Sequence, residues 1–485
     1  MIRFFGQIYC LLFLSVTVFA QKKVVPDVVA MEKNIAFFAS PQAAGRLPGH
    51  KGYDLCADYS SDIFAKLKLT PLFAPSFFQD FQIEFNEITG PDCFVNINGS
   101  KTVLKIGTDY SFRGFTGSGQ VESEIVFCGY GMYQPDDGYN DYAGVDVTGK
   151  TVMIFKQNPT WKITGINWSG SNIRYKVNIA KERGARAVIF VNSPSSGRTK
   201  PIASMMDGPE KHIADVPAIE MSTDWANKIL SKQGYSLEKL QAKIDTLQIA
   251  HSFSTKITAG ISVQAKYNPN AMTKNIVAII PGTDPVLKNE YIIISGHLDH
   301  VGFQGDSLYY PGANDDASGS ALVLEVANMW KKSKIKPART VVFALFACEE
   351  HGLDGARYLA NNFPADTNNI VAILNADCAA FGDSLMIGGG KSAPVMWNIA
   401  QTFGKGFPLS QRTWHGGGVD AQPFFEKGVP ALYFVTVNSY THLHLPTDNP
   451  ETLNANMLEL AAEIMFQTSV KIADKSYTKE TITGQ

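Results

Sequence analysis

Residues 340–350 read TVVFALFACEE, an unbroken apolar run that ends in two adjacent glutamates, Glu349 and Glu350. A run of this kind, rich in β-branched and aromatic residues, reads as a strand buried on both faces. Two further stretches are built alike: YIIISGHLD over 291–299 ends in His297 and Asp299, and IVAILNAD over 370–377 ends in Asp377. Helical patterns lie between and beyond them, in ANDDASGSALVLEVANMWKK (313–332), GLDGARYLANNF (352–363), APVMWNIAQTF (393–403) and MLELAAEIMFQTSVKIA (457–473). Buried strands alternating with helices predict an α/β fold with a mostly parallel central sheet flanked by helices. Ligand sites in such sheets form beyond the carboxyl ends of the strands, where His297, Glu349, Glu350 and Asp377 stand.

Working outward, residues 86–264 change texture. Short β-prone runs (VESEIVFCGYG, KTVMIFKQ, ARAVIFVNS) alternate with Gly and Asp turns, and one clear helix, NIRYKVNIAKERGA, interrupts them. That pattern predicts a strand-rich inserted domain. Residues 21–85 form a leading segment with helical periodicity around LCADYSSDIFAKL, which needs another body to pack on. Residues 265–474 carry the α/β pattern, and 475–485 read as a polar tail.

The composition excludes several functions. With 45% hydrophobic and 18% charged residues the chain is globular, and 43 Lys+Arg against 45 Asp+Glu leave a net charge of −2. No global field recruits nucleic acid or an anionic membrane. Residues 1–20 read as a secretory signal peptide, with Arg3, an apolar run and Ala20 before the Lys pair, so the expected localisation is exported, periplasmic or extracellular. The remaining cysteines (Cys56, Cys93, Cys128, Cys348, Cys378) are scattered and offer no Cys-based metal site.

The chemistry-bearing residues have the composition of a metal site. GHLDH supplies His297, with Asp299 two residues on and on the same side of an extended chain. GANDDASGS presents Asp315 and Asp316 between a glycine turn and a helix start. Adjacent buried glutamates are costly unless a cation or proton compensates them, so one can bind metal while the other takes a proton from water. LNADC adds Asp377, and THLHLPTDNP adds His442 and His444. Each piece alone is commonplace; their joint occurrence at strand ends is not.

In these motifs the chain resembles the dinuclear zinc aminopeptidases and glutamate carboxypeptidases of peptidase family M28, in the form with an inserted protease-associated (PA) domain. AAGRLPGHKGYDLCADYSSDIFAKLKLTPL resembles the family's leading segment, ESEIVFCGYGMYQPDDGYNDYAGVDVTGKTVMI with IAKERGARAVIF its PA domain, and NIVAIIPGTDPVLKNEYIIISGHLDHVG the opening of its peptidase part. The resemblance implies a zinc-peptidase-like fold and two Zn2+ per chain. It assigns His297, Asp315 and Asp377 to one zinc and Asp315, Glu350 and His444 to the other, with Asp315 bridging. Glu349 matches the general base and Asp299 the carboxylate that supports the site. The family pattern His-x-Pro-x-Asp fits His444, Pro446 and Asp448, although His442 stands two residues away. Asp420 takes the place of a recurrent acid, read as structural.

The implied function is exopeptidase action on peptides, as an aminopeptidase. A carboxypeptidase or dipeptidase would require guanidinium groups aimed at a terminal carboxylate. A glutaminyl cyclase-like transferase or a non-catalytic binding protein would be expected to have lost ligands that this chain retains. The inserted domain is expected to act as a lid or access element.

Overall fold

The computed structural model describes residues 24–483, apart from 163–167, 169–170, 209, 405–408 and 413–415; for 409–412 only the backbone is described. Residues 1–20, read from the sequence as a signal peptide, lie outside the described residues.

The three strands read from the sequence lie side by side. Tyr291–His297 pairs in parallel with Thr340–Phe346 on one edge and with Ile370–Ala376 on the other, and Ile370–Ala376 continues in parallel to Ala431–Thr436. Parallel pairing brings their carboxyl ends to one rim, so His297, Glu349, Glu350 and Asp377 emerge together. Helices Gly319–Ser333 and Ala455–Ala473 cover one face, and Asp354–Asn361 lies against the other. The strands are mostly apolar because neither face meets water, and the buried Ser295 and Asn375 pair with each other, the Ser295 hydroxyl donating to Asn375 Oδ1 at 2.8 Å.

The leading segment docks on this body. Helices Val28–Phe38 and Lys51–Lys66 pack through Met31, Ile35, Phe38 and Phe64 into the core that holds Leu322 and Trp330. The turn between them carries Arg46, fully buried. Its guanidinium donates to the carbonyls of Leu298 (2.7 Å), Phe38 (2.9 Å), Pro311 (2.7 Å), Gly312 (2.8 Å) and Asp315 (3.2 Å). One buried cation therefore ties the leading turn to both loops that flank His297.

Two long strands, Phe78–Ile97 and Ser252–Ile280, pair antiparallel and carry the sheet from the α/β body into the inserted region. The boundaries read at 85/86 and 264/265 fall inside this ribbon, whose register shifts between Ser262 and Gln264 and between Asn268 and Ala271. Beyond it, Gly119–Cys128, Thr151–Phe155, Ala187–Val191 and Ala218–Met221 pair in parallel in that order. The region is strand-rich but holds more than the one expected helix. Besides Ile173–Glu182, residues Thr223–Leu230 and Leu237–Leu247 are helical, started by the Ser222 and Ser236 side chains accepting from the backbone N–H groups of Trp225 and Lys239.

Residues 475–483 are anchored: the Glu480 carboxylate accepts from the N–H groups of Val395 (2.8 Å) and Met396 (2.9 Å), and Tyr477 is buried. The polar composition serves a helix N-terminus there.

Candidate metal centre

The loop after Gly312 delivers the central carboxylate. The Asp448 carboxylate accepts from the N–H groups of Asn314 (2.9 Å) and Asp315 (3.0 Å), which fixes the turn before the helix. Of the two adjacent acids, Asp316 is consumed by the backbone. Its oxygens accept from the N–H groups of His297 (3.1 Å), Gly319 (2.8 Å) and Cys378 (3.2 Å), stapling two strand ends to the helix start. Asp315 is the one left facing the imidazoles. Its Oδ1 lies 3.2 Å from His297 Nε2, and its Oδ2 lies 3.3 Å from His444 Nε2. Two oxygens of one carboxylate directed at two separate nitrogens is the arrangement a bridging ligand needs.

The other candidates complete two clusters. Asp377 Oδ1 lies 3.8 Å from His297 Nε2. Glu350 Oε2 lies 2.7 Å from His444 Nε2, and its Oε1 is 2.8 Å from His300 Nδ1. His300 was not among the residues singled out from the sequence; it is fully buried and also lies 3.7 Å from Asp315 Oδ2. His442 turns away, its Nδ1 2.9 Å from the Thr447 hydroxyl. Of the two histidines in THLHLP, His444 is therefore the one brought to the cluster.

Asp299 supports the site differently from a simple ligand partner. Its oxygens accept from the backbone N–H groups of Glu349 (3.2 Å) and Glu350 (3.3 Å), while Oδ1 stands 3.6 Å from His297 Nδ1. It thus aligns the glutamate pair with the first histidine. Asp420 is fully buried, with neither carboxylate oxygen hydrogen-bonded to protein, so no anchoring contact accounts for it. Cys348 and Cys378 are buried thiols, pushed up by burial, and Cys348 packs in the core.

The electrostatics fit cations. Burial alone would depress the His297 imidazole, yet Asp299, Asp315 and Asp377 raise it well above its ordinary value. Burial, then the charges of Asp377, Glu350 and Asp420, lift the Glu349 carboxyl well above the usual carboxylate range against the pull of His297. The protein alone balances this carboxylate excess by holding protons, which metal ions would displace. The buried Nε2 atoms of His297 and His300 have no hydrogen-bond partner, although the former faces two carboxylates. Buried polar atoms are rarely left so unless a ligand is missing from the count. The His, Asp and Glu donor set suits zinc.

A cleft of about 770 Å³ opens beside Glu349 and Glu350. Its opposite wall comes from the inserted region, through Lys156, Asn172 and Asp207.

Comparisons with known proteins agree with this architecture. Residues 275–469 match the sequence profile of peptidase family M28, and residues 121–229 match that of the PA domain. Leupeptin-inactivating enzyme 1 of Streptomyces exfoliatus is 28% identical over 277 residues, 53% of this chain and 57% of that one. Carboxypeptidase Q of Bos taurus is 25% identical over 228 residues, 46% of each. The chain thus spans about half the length of these curated relatives. Among solved structures, an aminopeptidase from Aneurinibacillus sp. strain AM-1 superposes with a TM-score of 0.65 at 22% identity, covering 94% of this chain and 96% of that one. A zinc aminopeptidase from Bacillus subtilis gives 0.66 at 18% identity, with 95% and 99% covered. At these identities the structures bear on the fold, which is shared nearly end to end. With both profiles matched in the expected places, the chain belongs to peptidase family M28 and carries a PA domain.

Proposed function

We propose that the chain is an exported dinuclear zinc exopeptidase that removes the amino-terminal residue of peptides. The observation that carries this reading is the geometry of Asp315, whose two oxygens face His297 and His444 separately. In this reading His297, Asp315 and Asp377 hold one zinc, and Asp315, Glu350 and His444 hold the other. Residues 265–474 form the peptidase domain, 86–264 the inserted PA domain and 21–85 the leading segment.

Bound zinc would supply Lewis acidity toward a scissile carbonyl and toward a water molecule. The protein's part is proton handling and positioning. Glu349, on the cleft, accepts a proton from the attacking water and returns it to the leaving amine. Asp299 holds the N–H groups of Glu349 and Glu350, so that base and ligand keep their separation.

A carboxypeptidase reading has the bovine relative in its favour. Against it, the cations lining the cleft are already engaged. Lys156 Nζ lies 2.8 Å from Glu220 Oε2, and Arg357 lies 3.4 Å from Glu426. No unpaired guanidinium awaits a terminal carboxylate among the described cleft residues. The test is a panel of aminoacyl anilides and amino-blocked dipeptides, assayed with wild type and Glu349→Ala. Release of amino-terminal residues by wild type, with an inactive variant that retains its zinc, supports the proposal. Release of carboxyl-terminal residues alone would replace it.

A further inference from the structure

The Glu350 carboxylate is shared between two imidazoles. Its Oε2 lies 2.7 Å from His444 Nε2, and its Oε1 lies 2.8 Å from Nδ1 of His300, whose ring is fully buried. Asp315 leans toward the first of these. Its Oδ2 stands 3.3 Å from His444 Nε2 but 3.7 Å from His300 Nδ1. Three atoms therefore converge, His444 Nε2, Asp315 Oδ2 and Glu350 Oε2, while His300 sits behind Oε1. A nitrogen this close to a carboxylate oxygen carries the hydrogen, because two acceptors would repel, so Nδ1 donates to Oε1. The other ring nitrogen, Nε2, is buried without a hydrogen-bond partner. Among the described residues the contact with Glu350 is thus the ring's one hydrogen bond.

The ring is held at that angle from several sides. His300 N donates to Arg46 O (3.3 Å), and the Arg46 guanidinium donates to Leu298 O (2.7 Å), which pins the turn after His297. Gly312 has a φ of +58°, and a Cβ there would stand 2.5 Å from His300 Cγ and Cδ2, so the ring occupies space that only glycine leaves. The His444 ring meets it edge-on, with centroids 5.5 Å apart. The preceding residue, Asp299, accepts from Glu350 N at 3.3 Å. Two neighbouring residues therefore grip Glu350, one at its backbone and one at its carboxylate.

We infer that His300 is a positioning residue for Glu350: its Nδ1–H holds Oε1 and leaves Oε2 as the oxygen offered to a metal ion beside His444. The inference rests on the reading in which Glu350 holds one of two zincs. A carboxylate tied at one oxygen presents a single donor in a fixed direction. Untethered, it can turn away or offer both oxygens, filling a position that a catalytic zinc keeps open. The effect belongs to one ion, because His300 is hydrogen-bonded to neither His297 nor Asp377 among the described residues.

The test titrates metal-free, full-length protein with zinc against a competing chelator, for wild type, His300→Leu and His300→Asn. Leucine fills the space without a donor, whereas the asparagine amide can place an N–H where Nδ1–H stands. His300→Leu should bind one zinc about tenfold more weakly or worse and the other within about twofold of wild type. His300→Asn should recover most of the loss. Unchanged affinities in His300→Leu overturn the inference and leave the dinuclear reading in place. Equal loss at one ion in both variants makes the imidazole itself a ligand and overturns it too, as does equal weakening of both ions. Should His300→Leu not fold, the more pliable His300→Met takes its place in the same comparison. A wild type that takes up a single zinc counts against the dinuclear reading alone if that ion is weakened by leucine and recovered by asparagine.

Discussion

Ala203 of the PA domain and His444 of the peptidase domain are joined by a reciprocal pair of hydrogen bonds: Ala203 N donates to His444 O at 3.2 Å, and His444 Nδ1 lies 3.1 Å from Ala203 O. An imidazole that donates from Nδ1 to a carbonyl keeps Nε2 free as a metal ligand, in a fixed orientation. The inserted domain therefore bears on the centre itself. Ala203 is fully buried against Val301 and Tyr310, and the strand Tyr110–Phe112 exchanges hydrogen bonds with the Gln304 amide through Phe112 at 2.9 and 2.7 Å. Those contacts hold the inserted region as a docked wall beside the centre.

Displacing that carbonyl should weaken one zinc and spare the other. Ala203→Leu forces bulk into a filled position, and the expected result is a loss of about tenfold or more in affinity for one zinc of two. Chelator competition followed by metal analysis reads this directly. Equal weakening of both sites would mean that the substitution disturbs the fold and not His444.

Asp299→Asn tests the link between His297 and the glutamate pair. An amide can accept only one of the two backbone N–H groups that the carboxylate now accepts. The expected outcome is a fall in kcat of roughly 10- to 100-fold with metal content close to that of wild type. Unchanged kcat would remove Asp299 from the working site.

Arg46→Met removes five hydrogen bonds to buried carbonyls in a single step. A loss of about 3–5 kcal/mol is expected from denaturant unfolding, because the carbonyls are left without donors. A loss below about 1 kcal/mol would mean that water replaces the guanidinium.

Asp141 gives the inserted domain a pH signature. Burial raises this carboxyl to about 7, even though it accepts from the N–H groups of Tyr130 (3.1 Å) and Met132 (3.0 Å) and from the Tyr139 hydroxyl (3.0 Å). The folded value lies above an unfolded value of about 4, so its stabilisation is complete below about pH 4 and is lost as pH rises through about 7. Asp141→Asn lacks this titration. Between those limits, wild-type stability relative to the variant should fall by up to roughly 1.4 kcal/mol per pH unit. Parallel stability curves would contradict the assignment.

Much of the fold and of the centre was legible in sequence because buried parallel strands leave unbroken apolar runs, and their ends present the chemistry. The limits were local. NDDASG gives no sign of which aspartate is free, since only the fold shows three backbone donors closing on Asp316. His300 stood in plain view in GHLDH, but the turn that sends it toward Glu350 depends on tertiary contacts, among them His300 N donating to Arg46 O at 3.3 Å. Ala203 acts through its backbone, which no side-chain pattern reports. The helices Thr223–Leu230 and Leu237–Leu247 are short, and their polar residues resemble loop composition.

The most direct test of the central claim is zinc per chain, measured by mass spectrometry on metal-saturated, desalted protein, for wild type, Glu349→Gln and Asp315→Ala. A bridging Asp315 and a Glu349 that handles protons without binding metal predict two zincs in wild type, two in Glu349→Gln with no turnover, and loss of both tightly held ions in Asp315→Ala. One zinc in wild type, or two retained by a folded Asp315→Ala, would contradict the dinuclear account.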